Sequence, residues 1–141
     1  MHPFIRPGDW VTVIPSAGRA GGEIRPGDCV VFRDRGKRWL IHRVIDCPEG
    51  SNRLLTKGDA LLSPDHPVER KSIAGVVAAV ERRESGRSHL LDRPRNRFLG
   101  RLTARLSRFE TVVFSAFPGG GILFIRLVKS PRWILTRLFF P

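Results

Sequence analysis

Between Asp9 and Val80 the chain is a succession of short β-branched runs cut by turn residues, at spacings of roughly 8–15 residues, with no helical period among them. Asp9–Ile14 alternates. Asp28–Phe32, Arg38–Asp46, Leu54–Thr56 and Ile73–Val80 are further runs, separated by a Gly/Ala/Ser loop from Pro15 to Gly22, a Pro48–Asn52 turn cluster and a loop holding Pro64 and Pro67. Such a series specifies a mostly β fold, a single antiparallel β domain over residues 1–81. Arg-Pro-Gly-Asp occurs twice, at 6–9 and 25–28, each time just ahead of a strand. Proline presets one turn position and glycine supplies a positive φ at the next, so two similar turns are expected.

The pattern changes at about Arg82. Residues 1–81 carry 12 basic and 10 acidic side chains, whereas residues 82–141 carry 13 and 3, so most of the net +12 lies in the rear. Residues 82–96 read as a polar linker. From Arg97 a helical period appears, with Leu99, Leu102, Leu106 and Phe109 on one face and Arg97, Arg101, Arg105 and Arg108 on another. After Gly119-Gly120-Gly121, residues 122–140 mix Trp133, Phe139 and Phe140 with Arg126, Lys129, Arg132 and Arg137. A basic amphipathic tail over 97–141 fits either a helix lying in a membrane interface or one packed on its own domain with arginines outward. Nucleic acid ranks behind a membrane surface, because the aromatics cluster with aliphatics rather than alternating with charge.

No secretory signal opens the chain, and the longest uncharged run, Thr111–Ile125, falls short of the ~20 residues a spanning helix needs. Cys29 and Cys47 read as two buried free thiols ahead of a disulfide, which they could form if the fold brings them together. The four histidines, His2, His42, His66 and His89, are scattered and the cysteines lack paired ligand spacing, so no metal or other cofactor is called for.

Four segments carry a more specific signal together than apart: Met1-His2-Pro3-Phe4-Ile5-Arg6-Pro7-Gly8-Asp9; Pro26-Gly27-Asp28-Cys29-Val30; Ile41-His42-Arg43-Val44; and Leu55-Thr56-Lys57-Gly58-Asp59 with Asp65 beyond. In order and spacing they resemble the signal peptidase I family, in its histidine-dependent branch. That pattern is Ser-Met-x-Pro, an apolar residue, Gly-Asp, a second Gly-Asp-x-Val, His-Arg, then Lys-Gly-Asp with a later Asp. Met1, Pro3, Ile5, Gly8 and Asp9 match the first block, Gly27, Asp28 and Val30 the second, His42 and Arg43 the third, and Lys57, Gly58, Asp59 and Asp65 the fourth. Ile73 and Gly75 match the strand with which the family closes, so the likeness covers residues 1 to about 81.

The resemblance implies the β fold shared by signal peptidases and self-cleaving repressors. It also implies serine endopeptidase action on exported or membrane-proximal polypeptides, in association with a membrane. A serine hydroxyl needs a base to take its proton, and an imidazole, which titrates near neutral pH, suits that task. His42 is the implied base, with Asp59 or Asp65 orienting it. Met1, Pro3 and Ile5 are implied to face substrate, while Gly8, Asp9, Gly27, Asp28, Arg43, Lys57 and Gly58 are implied to build the frame. The nucleophilic serine is expected immediately ahead of Met1; Ser16 and Ser63 are the nearest others. A peptide-binding module without turnover and an anionic-surface adaptor acting through the basic tail are the alternatives.

Overall fold

The computed structural model describes residues 4–16, 23–61 and 63–116. Seven strands are present: β1 (Trp10–Pro15), β2 (Cys29–Arg33), β3 (Trp39–Asp46), β4 (Arg53–Lys57), β5 (Val68–Glu69), β6 (Ile73–Glu81) and β7 (Ser88–Leu90), followed by one helix, α1 (Pro94–Ala116). The sheet runs β1-β6-β2-β3-β4-β5 with β7 also paired to β6, and every pairing is antiparallel. The fold is therefore mostly β, as the spacing of the apolar runs predicts. Met1, Pro3 and the tail from 117 onward lie outside the described residues.

The two Arg-Pro-Gly-Asp segments form the same turn. In each, the aspartate carboxylate accepts from the arginine N–H (Arg6 to Asp9, 2.8 Å; Arg25 to Asp28, 3.1 Å), and the aspartate N–H donates back to the arginine carbonyl at 3.1 Å. Gly8 and Gly27 take φ of +90° and +102°, values open to glycine at little cost. Arg82 closes an ion pair on Asp9, tying the first turn to the end of β6.

Alternation sorts side chains onto two faces of the sheet. One face buries Val30, Phe32, Val44, Leu54, Ile73 and Val76 in one cluster. The other buries Ile5, Cys29, Val77 and Val80 against Val11, Val31, Ile41 and Leu91. α1 covers this second side. Its closest approach is at glycines: a Cβ on Gly27 would lie 2.7 Å from the backbone of Gly100 and Arg101.

Residues 82–96, which read as a polar linker, fold differently from that reading. They hold a tight return with Gly86 at φ +63°, strand β7 against residues 79–81, and the first turn of α1 with Pro94 at its start. Proline is tolerated there because the first helical N–H has no partner within the helix. The buried side of α1 also departs from the expected stripe. Leu99, Thr103, Ala104, Ser107 and Glu110 are buried, Leu102 and Leu106 half-buried, and Phe109 is 54% exposed.

Candidate active site

His42 and Arg43 are neighbours on β3 and so point to opposite faces. On the face of the first core cluster, His42 Nδ1 lies 2.6 Å from Asp65 Oδ2, and Thr56 Oγ1 donates to the same oxygen at 2.7 Å. A carboxylate can only accept, so Nδ1 carries the proton and Nε2 presents its lone pair. The Phe32 ring meets the imidazole edge-on at 5.9 Å. The backbone returns after β4 so that Asp65 N–H donates to the Thr56 carbonyl at 2.8 Å, which fixes the carboxylate under the ring.

Nε2 is turned toward Gly58 and Leu61. A Cβ on Gly58 would lie 3.1 Å from Nε2 and 3.0 Å from the Leu61 side chain, so the glycine leaves the nitrogen room that any other residue would take. His42 lines a groove of about 1060 Å³ whose walls include Phe32, Leu40, Leu61, Asp65 and the arginines 33, 35 and 53. β4 ends with Lys57 opposite Arg43, so the stretch of β3 from His42 back to Trp39 has β2 as its strand neighbour and no described strand on its other side.

On the opposite face the motif charges pair with one another. Arg43 makes a two-pronged ion pair with Asp59, at 3.0 Å for each oxygen, and donates to the Gly27 carbonyl at 2.9 Å. Burial works against the Arg43 charge, but the negative groups around it, Asp59 foremost with Cys29 and Asp28, together raise the guanidinium further above its usual range. The Phe4 ring centroid lies 4.6 Å from the Arg43 guanidinium carbon, which sets this part of the N-terminal segment on the face of β3 away from the His42 ring. Lys57, fully buried, donates to Glu110 of α1 at 2.8 Å.

Of the three residues with implied catalytic roles, His42 and Asp65 come together, while Asp59 sits with Arg43 on the other face. Ile5, implied to face substrate, is 9% exposed within the second core cluster, where its side chain packs instead. Met1 and Pro3 lie outside the described residues. Ser16 donates to the Ile73 carbonyl at 2.9 Å, and Ser63 is exposed. Among the described residues no serine is hydrogen-bonded to Nε2, and no group of three or more His, Cys, Asp or Glu is gathered as metal ligands. Two contributors were missed in the sequence. Thr56 could have been found, since Leu54 and Thr56 alternate onto one face; Glu110 had no signal, because its partner is 53 positions away. Comparison of the chain with family models, curated proteins and solved structures finds no match.

Proposed function

We propose that this chain is a serine endopeptidase resembling signal peptidase I, with His42 as general base and Asp65 as its orienting carboxylate. The observation that carries the reading is the 2.6 Å contact between His42 Nδ1 and Asp65 in the wall of a groove, with room at Nε2 left by Gly58. In the proposed reaction a serine Oγ gives its proton to Nε2 and attacks the scissile carbonyl carbon. The resulting imidazolium is stabilised by Asp65 and returns the proton to the departing amine as the C–N bond breaks. Water, deprotonated by the same nitrogen, then hydrolyses the acyl ester. The serine is the residue that the family pattern places immediately ahead of Met1.

A polypeptide is the substrate class that suits the neighbouring backbone. The β3 stretch from Trp39 to His42 offers N–H and C=O groups on the side that β4 does not cover, and an extended peptide can add there as a strand. Asp59 and Arg43 are assigned to framing the site and not to proton transfer.

The test is a chain carrying a serine ahead of Met1, assayed on quenched fluorescent peptides beside the unextended chain and a His42→Ala version of the extended one. Turnover confined to the extended chain, and lost by on the order of 10⁴ or more with His42→Ala, is the expected result. Saturable peptide binding by both lengths of chain, without cleavage and indifferent to His42→Ala, would replace this reading with that of a binding module.

A further inference from the structure

α1 turns a stripe of exposed apolar side chains away from the sheet. Phe98, Phe109 and Val112 are 66%, 54% and 61% exposed. With Arg105 they follow one another at seven-, four- and three-residue steps, which ~3.6 residues per turn stacks into one line along the helix. Exposed Arg101 and Arg108 run along one side of it, Arg108 also reaching Asp46 at 3.2 Å. A single exposed Phe is ordinary, but two on one line with Val112, interleaved with arginine, form a basic amphipathic face.

We infer that this face of α1 docks on an anionic lipid surface, with the helix lying in the plane of the interface and the His42 groove turned away from it. Charge selects the occupant. Pairing two copies of the stripe sets like charges together, and residues 117–141 add Arg126, Lys129, Arg132 and Arg137 and no acidic residue. Lipid phosphates offer the opposite charge beside acyl chains for the phenyl rings. Nucleic acid offers the charge without an apolar layer to receive Val112. Arg105 within the stripe keeps the helix at the interface instead of across it.

The orientation follows from the sheet. Lys57 reaches α1 through Glu110 and Arg43 reaches the turn packed on Gly100, so both point toward the helix. His42, Thr56 and Asp65 lie on the other face. A docked α1 thus holds the groove at least one sheet and one helix from the bilayer, and substrate is taken from the aqueous side. This inference stands apart from the peptidase reading, since it needs no catalysis.

The test uses the full chain and vesicles of phosphatidylcholine with or without phosphatidylglycerol. Co-sedimentation with the anionic vesicles alone, weakened about tenfold or more by the pair Phe98→Ser and Phe109→Ser with an unchanged circular dichroism spectrum, is expected. High salt should weaken it as well. In a Cys47→Ser background, an environment-sensitive dye on Val112→Cys should shift to the blue on binding, and one on His66→Cys at the groove should not. Binding indifferent to the two Phe substitutions, a Val112 dye that stays in water, or a preference for duplex DNA over the vesicles would each overturn the inference.

Discussion

The two ring nitrogens of His42 meet different surroundings, and that asymmetry can be measured. Nδ1 is held by Asp65 and Nε2 faces the space left by Gly58. Nitrogen NMR of the neutral imidazole should find the Nδ1–H tautomer, and Asp65→Asn should reduce its share, because an amide can also donate to Nδ1 and so select the other tautomer. A ring that keeps one tautomer in both proteins would remove Asp65 from its orienting role. Cys29 gives a second residue-scale prediction. Burial pushes its thiol up to about 11, with the Arg43 charge pulling the other way. The folded state therefore holds the proton more tightly than the unfolded chain, at 9.0. Its contribution is fully present below pH 9 and falls away as pH rises from 9 through 11, by at most about 3 kcal/mol. Urea unfolding across that window should show stability dropping in a Cys47→Ser background and a flatter profile once Cys29→Val is added. An equal drop in both would exclude the thiol as its source.

At the scale of elements, what the sequence shows depends on whether a residue's reason for its position is local. β1, β2, β3, β4 and β6 follow from β-branched alternation and the turn residues between them. β7 does not, since Ser88-His89-Leu90 has no strand preference of its own and is a strand because Gly86 turns the chain back onto β6. α1 was legible as a helix, but which side it buries was not. The leucine period points to Leu99, Leu102, Leu106 and Phe109, yet the buried side is centred on Thr103, Ser107 and Glu110. Buried Lys57 on β4 requires a carboxylate, and the helix turns to supply Glu110 where hydrophobicity alone would have turned it toward Phe109. His42 and Asp65 were legible as a motif; the choice between Asp59 and Asp65 was not, because alternation in β3 decides it by sending Arg43, and Asp59 with it, to the far face. The Lys57–Glu110 pair supplies the element-scale prediction. Glu110→Ala removes the carboxylate paired with a buried ammonium and should lower stability by ~3–5 kcal/mol, whereas Lys57→Met combined with Glu110→Met should recover most of that loss. Chemical denaturation of the single and double variants checks this, and a double variant no better than Glu110→Ala would mean that the pair does not set the helix position.

At the scale of the molecule, the division into a near-neutral front and a basic rear does not correspond to two independent bodies among the described residues. α1 lies along β3 on the Arg43 side of the sheet, takes the Lys57 charge, and meets the Gly27 turn at a backbone contact too tight for any side chain at Gly27 or Gly100. Without α1 the Lys57 charge would lose Glu110 and the Gly27 turn that holds Arg43 would lose the helix packed on it. The groove is built from the opposite face of the sheet, but the chain that carries Asp65 to His42 begins at Lys57 and passes through Asp59, both anchored on the helix side. Site and helix are thus two ends of one mechanical arrangement, and they should unfold together. A chain ending at Arg93 should be unfolded or molten, with lost near-ultraviolet dichroism and exposed hydrophobic surface. In the intact protein, hydrogen exchange of the buried turns of α1 between Leu99 and Glu110 should be as slow as that of β3 and β4. If the shortened chain instead kept a cooperative thermal transition within a few degrees of the full one, α1 would be an appendage and the coupling between helix and site would not exist. Slow exchange in the strands beside fast exchange in the helix would rule out that coupling without truncation, and would leave the outer stripe of α1 free to act on a membrane while the groove stayed unchanged.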